Sequence, residues 1–131
     1  MKFFVISLKN YMSRQAFQRE QAKKLGFDLT FIEAVDANDL SKEQTQAYAN
    51  QWTRPIPKKD IACQLSHQKA WQAVSEAGGL AVILEDDIVL SKQWLAAVEA
   101  IACQPLQTRW IYDLEYVPRY HRFARLGCWQ D

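Results

Sequence analysis

The sequence predicts an α/β fold with a mostly parallel sheet and flanking helices, formed by one domain over residues 1–131. Its first third alternates strand, helix and strand patterns, which is typical of a βαβ unit with a right-handed crossover. A further helix then leads into the apolar run Leu80–Leu84, long enough for a central strand. The composition, 49% hydrophobic with 4 Gly and 4 Pro, can support such a core.

The βαβ unit begins almost at the first residue. Phe3–Leu8 is β-branched and aromatic, which predicts a buried strand. Apolar positions recur at about helical intervals over Met12–Leu25, and Gly26 follows as a helix-terminating residue, so this segment is expected to be an amphipathic helix. Leu29–Ala34 resumes a strand pattern.

The middle of the chain is predicted to be helical with one interruption. Ser41 and Gln44 have the spacing of a capping box, which predicts a short polar helix. Two prolines favour a loop over Trp52–Lys59. Asp60 is then expected to cap a helix that ends at the Gly78–Gly79 pair.

Three further elements complete the prediction. Leu80–Leu84 is a strand that stops at the acids Glu85, Asp86 and Asp87. Ser91 is expected to start another helix that continues through Ile101. Trp110–Leu114 is predicted to be one more strand.

Charge and cysteine usage exclude several protein classes. With 16 Lys+Arg, 15 Asp+Glu and a net charge of +1, the chain has no strong field to attract nucleic acid. Its 3 cysteines form no paired-cysteine motif, which favours reduced thiols in a cytoplasmic protein. The apolar stretch near the N-terminus is too short for a signal peptide or a membrane span.

The acids that follow the third strand are the most informative feature. Ligands of open α/β sheets bind at the carboxyl ends of strands, and alternate residues of an extended chain point the same way. Glu85 and Asp87 are therefore candidate ligands of one Mg²⁺ or Mn²⁺ ion, with Asp86 facing elsewhere. The alternative is that these acids cap the turn and pair with Lys or Arg.

A second candidate site lies where the first strand ends. The backbone N–H groups of the following helix, together with Lys9 and Arg14, would suit an anion bound near Ser7 and Leu8. The segment lacks the glycines of a nucleotide-binding loop, so an ordinary solvated turn is the alternative.

Ser66 and His67 form a third candidate on the predicted helix that begins near Asp60. Neighbouring helical side chains diverge by about 100°, so this dipeptide does not make a catalytic pair. A packed, hydrogen-bonded histidine is the alternative to a functional one.

Four motifs follow one another along the chain. They are Val5-Ile6-Ser7-Leu8 with Arg14, Ala34-Val35-Asp36 with Leu40, Ile61-Ala62-Cys63-Gln64-Leu65-Ser66-His67 with Trp71, and Ile83-Leu84-Glu85-Asp86-Asp87 with Leu90. Taken in this order, they resemble glycosyltransferase family 25, the lipooligosaccharide and lipopolysaccharide galactosyltransferases. The resemblance covers about residues 3 to 90, with a weaker continuation at Leu114-Glu115.

The resemblance implies a GT-A fold, which is Rossmann-like, and transfer of galactose from UDP-galactose to a saccharide hydroxyl with inversion. It implies that the acids hold Mn²⁺ or Mg²⁺ on the diphosphate, with Glu85 and Asp87 as metal ligands. The nucleotide-sugar would then lie near Ser7, Leu8, Arg14, Asp36, His67 and Asp86. The implied acceptor is lipooligosaccharide or lipopolysaccharide, reached from the cytoplasm or from the inner face of the cytoplasmic membrane.

The chain departs from the family in length, since family members are considerably longer. A truncation that removes the acceptor site and part of the sheet is therefore expected, and no catalytic base is assigned. Two alternatives follow: an inactive nucleotide-sugar-binding remnant, or a module that self-associates through uncovered sheet surface, which predicts a homo-oligomer. A metal-dependent phosphoester hydrolase is a third, because clustered acids at strand ends also serve that chemistry.

Overall fold

Strands and helices alternate along the chain, as the predicted α/β class requires. The structure is a computed structural model that describes residues 1–49 and 55–105, with Ile111 and Leu114. Its elements are β1 (Lys2–Ser7), α1 (Met12–Leu25), β2 (Thr30–Glu33), α2 (Lys42–Ala49), α3 (Lys58–Ala77), β3 (Ala81–Glu85) and α4 (Trp94–Ala102). The arrangement corresponds to part of a Rossmann-like fold.

The sheet has the strand order β2-β1-β3, and both pairings are parallel. Val5 lies at its centre, opposite Phe31 on one side and Leu84 on the other, and is fully buried. The chain moves from β1 to β2 through α1 and then back past β1 to β3 through α3. Because such crossovers are right-handed, α1 and α3 cover opposite faces of the sheet.

Helix α1 has the predicted bounds but not the predicted buried face. Gly26 ends it with φ 79°, and its N–H donates to the Ala22 carbonyl at 2.8 Å, as the C-terminal signal predicted. Met12 and Phe17, expected on the buried face, are exposed, whereas Gln18 is only 1% exposed. The predicted face was therefore right at Ala22, which is buried, and wrong at Met12 and Phe17, because the buried face also carries glutamines that bind backbone carbonyl groups.

The two central helices differ in how well their starts were predicted. The capping box is confirmed, since the Ser41 N–H donates to Gln44 Oε1 at 2.9 Å and the Gln44 N–H donates to Ser41 Oγ at 3.1 Å. Asp60 was wrongly predicted as the cap of the next helix, because α3 already begins at Lys58. Pro57 precedes it, and its carbonyl accepts the N–H groups of Asp60 and Ile61.

The remaining boundaries differ from prediction by a few residues. Strand β3 is displaced by one position, so that Glu85 is its last residue rather than the first residue after it. Helix α4 starts at Trp94 instead of Ser91, because Ser91 Oγ and its carbonyl accept the N–H groups of Gln93 and Trp94 in a preceding turn. The predicted strand over residues 110–114 lies outside the described residues, apart from two isolated positions.

A hydrophobic cluster joins α3 to the segment between β2 and α2. Ile61 is fully buried and packs with Leu40 and Ala62. Half-buried apolar side chains surround the three, namely Val35, Ala37, Tyr48, Ala49, Ile56 and Leu65. This cluster ties α3 to the chain that follows β2 and so helps to position the side chains that α3 carries toward β3.

Aromatic rings close the amino edge of the sheet, opposite the acids. The Phe27 centroid lies 4.7 Å from that of Phe3 and 5.0 Å from that of Trp94. A depression of about 340 Å³ lies beside them, at the edge away from the sequence-predicted site. Within the described ranges, no helix combines the length and apolar character needed to cross a bilayer.

Candidate functional site

The carboxyl ends of β1 and β3 lie side by side, with Ile6 opposite Glu85 in the register. The crossover through α1 runs from β1 to β2 on one side, and the crossover through α3 runs back to β3 on the other side of β1. The strand order therefore reverses at the gap between β1 and β3, which makes that gap a topological switch point. Open α/β sheets bind ligands in the crevice at such a point. The structure thus brings two of the predicted sites together, the segment after Ser7 and the acids that begin at Glu85.

Asp86 links the ends of β1 and β3 to α1. The residue is 7% exposed, and its two carboxylate oxygens accept hydrogen bonds from Ser7 Oγ at 2.6 Å and from Arg14 Nη1 at 2.9 Å. The hydrogen bond with Asp86, aided by the charges of Asp86 and Asp87, raises the pKa of the Arg14 guanidinium. Asp86 is therefore paired with a basic side chain, which the sequence analysis gave as the alternative to a metal site for these acids.

Glu85 and Asp87 remain exposed and are directed to different helices. The Glu85 Oε1 atom lies 3.2 Å from His67 Nε2 of α3, while an Asp87 oxygen lies 3.6 Å from Arg14 Nη1 of α1. Their side chains are 56% and 57% exposed, so both keep oxygen atoms accessible to a ligand. A metal ion shared by the two carboxylates stays a prediction.

Two glutamines of α1 hold the loop that follows the acids, and sequence reasoning missed them. Gln18 Nε2 donates to the carbonyls of Asp86 and Ile88 at 3.1 and 2.9 Å. Gln21 donates to the same Ile88 carbonyl at 3.1 Å and accepts the Leu90 N–H at 2.9 Å. Hydrogen bonds from the side chains of α1 therefore fix the backbone of residues 86–90.

The segment between β1 and α1 is ordered by its own hydrogen bonds. The Leu8 carbonyl accepts the Tyr11 N–H and the Gln15 side-chain amide, both at 3.0 Å. In the described part of the chain, no side chain caps the start of α1, and its first turn contains no acid. The unpaired N–H groups and Arg14 give this end of α1 a positive character.

Ser66 and His67 contact different parts of the chain. Ser66 is buried, accepts the Val35 N–H at 2.8 Å and donates to the Ala62 carbonyl at 2.7 Å, so it ties α3 to the chain after β2. Asp36 lies in that same segment, where its Oδ1 accepts the Asn38 N–H at 2.8 Å in a local turn. The Asp36 carboxylate therefore makes a local contact and is not hydrogen-bonded to the group formed by Ser7 and Asp86.

His67 belongs instead to a group with Cys63 and Glu85. The Cys63 Sγ, a His67 ring nitrogen and a Glu85 oxygen lie within 4.8 Å of one another. Partial desolvation, with the charges of Glu85 and Asp60, raises the pKa of the Cys63 thiol. The sequence did not point to Cys63 as a site residue because its cysteines form no paired-cysteine motif, although a Cys and a His four residues apart share one helix face.

Two comparisons with known proteins agree on the family. Residues 1–128 match Glycosyltransferase family 25 (LPS biosynthesis protein). The chain is also 27% identical over 127 residues to "Probable inactive glycosyltransferase 25 family member 3" from Rattus norvegicus, an alignment that covers 88% of this chain. The chain spans 22% of the length of that relative.

The match to the family extends over nearly the whole sequence, and the four motifs that suggested it fall on β1, on the segment after β2, on α3 and on β3. The predicted resemblance is thereby confirmed. The chain belongs to glycosyltransferase family 25.

Proposed function

We propose that this chain carries the donor-binding part of a glycosyltransferase that moves galactose from UDP-galactose to a hydroxyl of lipooligosaccharide or lipopolysaccharide. The observation that carries the proposal is the switch point between β1 and β3, where Ser7, Arg14 and the acids meet. Family membership supports the reaction class, and the description of the family supports an acceptor in lipopolysaccharide biosynthesis.

The exposed acids suit the Mn²⁺ or Mg²⁺ ion of such a reaction. Both oxygens of Asp86 are used within the protein, whereas Glu85 and Asp87 retain exposed carboxylates. Carboxylate oxygens are the ligands that these hard cations prefer. We therefore assign Glu85 and Asp87 as the metal ligands, where a bound ion would neutralise charge on the UDP leaving group.

Other residues of the site would bind and orient the donor. The unpaired N–H groups at the start of α1 and the half-exposed Arg14 guanidinium favour a diphosphate, while Ser7 and Asp86 keep Arg14 in place. Leu8, Asp36 and His67 border the same carboxyl edge as candidate contacts of the nucleoside and sugar. In this proposal an acceptor hydroxyl attacks the anomeric carbon of the donor sugar and displaces UDP in one step with inversion, while a carboxylate base takes the hydroxyl proton.

Calorimetric titration of UDP in the presence of Mn²⁺ tests the donor site. Asp87→Ala is expected to weaken UDP affinity at least ~10-fold, equivalent to about 1.4 kcal/mol, because it removes one of two proposed metal ligands. Asp28→Ala is the matched control, since it removes an exposed aspartate at the opposite edge of the sheet. Equal UDP affinity in Asp87→Ala, or in wild type with EDTA, would refute the metal assignment.

Donor binding without transfer is a second candidate function. It is favoured by the similarity to a rat protein whose name describes it as inactive. Incubation with radiolabelled UDP-galactose and truncated lipooligosaccharide separates the two candidates. We expect the 131-residue chain to bind the donor and to transfer little or no label. Turnover near one per second, an ordinary enzyme rate, would support full activity instead.

The proposed partners are the UDP-sugar and the saccharide acceptor. Peripheral contact with the inner face of the cytoplasmic membrane and association of the chain with itself both stay predictions.

A further inference from the structure

A second group of ligand atoms lies between α3 and the end of β3, whereas the Arg14–Asp86 pair joins α1 to the loop that follows β3. Cys63 and His67 are four residues apart on α3, so both point from one side of that helix. Glu85 reaches them from the end of β3. Two separate elements therefore bring a thiol, an imidazole and a carboxylate together, and their ligand atoms lie within 4.8 Å of one another.

The distances suit a tetrahedral ion. Metal–ligand bonds of about 2.0–2.3 Å place two ligand atoms of such an ion about 3.3–3.7 Å apart. His67 Nε2 and Glu85 Oε1 are already 3.2 Å apart, and the distances from Cys63 Sγ to these two atoms, at most 4.8 Å, would shorten when an ion binds. Cys63 and Glu85 are exposed, so an ion has access and a fourth coordination position faces solvent.

The kinds of ligand decide which metal the group selects. Thiolate and imidazole ligands favour borderline and soft ions such as Zn²⁺, whereas Mg²⁺ takes oxygen ligands. We propose that Cys63, His67 and Glu85 bind one Zn²⁺-class ion, with water or a substrate oxygen as the fourth ligand. Binding releases the proton of the Cys63 thiol to solvent, because only the thiolate coordinates the metal.

The proposal goes beyond the donor site and shares Glu85 and the candidate donor contact His67 with it. Cys63 belongs to the new site alone, and Asp87 belongs to the donor site alone. A Cys63 variant and an Asp87 variant therefore distinguish failure of one assignment from failure of the other.

Cobalt titration of the full reduced chain tests the site, since Co²⁺ replaces Zn²⁺ and reports its ligands by absorption. We expect one Co²⁺ per chain, a thiolate-to-cobalt charge-transfer band, and displacement by Zn²⁺ but not by excess Mg²⁺. Cys63→Ser is expected to abolish the band, and His67→Ala to weaken Co²⁺ binding at least ~10-fold. Far-ultraviolet circular dichroism identifies any variant that fails to fold.

Three control variants should keep the band: Cys103→Ser, Cys128→Ser and Asp87→Asn. Loss of the band in either cysteine control, or its persistence in folded Cys63→Ser, would overturn the assignment. So would the absence of a band in the wild-type chain. An intact band in a chain that does not bind UDP would refute the donor site and leave the metal site standing.

Discussion

Asp86→Ala is expected to destabilise the protein by about 2–3 kcal/mol, the cost of removing a hydrogen-bonded charged group from a buried position. The substitution leaves the buried Ser7 hydroxyl without its 2.6 Å partner and Arg14 without its 2.9 Å partner. Because Arg14 is 47% exposed, water replaces part of what that side chain loses, which keeps the expected effect below that of a fully buried ion pair.

Urea denaturation measures this effect, and Asp87→Ala is the matched control. Asp87 is exposed and makes a single ion contact at 3.6 Å, so its removal should change the free energy of unfolding by less than about 1 kcal/mol. Asp86→Asn keeps the shape of the side chain and should fall between the two. Equal stability of Asp86→Ala and wild type would mean that Asp86 does not pair with Ser7 and Arg14 in solution.

Ile61→Ala should cost roughly 3 kcal/mol, because it leaves a cavity at a fully buried position among Leu40 and Ala62. A loss of this size lowers the Tm by on the order of 10 °C in a domain of this length. Thermal unfolding followed by circular dichroism measures the shift.

The Ile61→Ala substitution should also disturb the group formed by Cys63, His67 and Glu85. Ile61 anchors the helix that carries Cys63 and His67 toward Glu85, so loosening it weakens their convergence as well as the fold. Val89→Ala is the control, since Val89 is also β-branched but 80% exposed, and it should stay within about 0.5 kcal/mol of wild type. A Tm of Ile61→Ala equal to that of Val89→Ala would contradict the packing of this cluster.

Local patterns were enough to predict most of the fold. The apolar run around Val5, the capping box at Ser41 and the terminating Gly26 each act within a few residues, and each lies where it was predicted. The helix starts at Asp60 and Ser91 were wrong because a residue that can cap a helix can equally occupy its first turn or a preceding turn.

The site was only partly predictable for a different reason. The acids were visible because three carboxylates after an apolar strand are unusual in any context. Gln18 and Gln21 were not, since a polar side chain on a helix is ordinarily solvated, and their burial depends on carbonyl groups about 70 residues away in sequence. Likewise, nothing local shows that Glu85 meets Cys63 and His67.

The two glutamines have a consequence for how this loop can vary. They hold it through the carbonyl of Ile88 and the amide of Leu90, groups that every non-proline residue possesses. The Val89 side chain lies between these two residues, takes no part in the hydrogen bonds and is largely exposed to solvent. The shape of the loop is thus encoded in α1, while its side chains can be exchanged without losing that shape, which would let recognition diversify beside an unchanged scaffold.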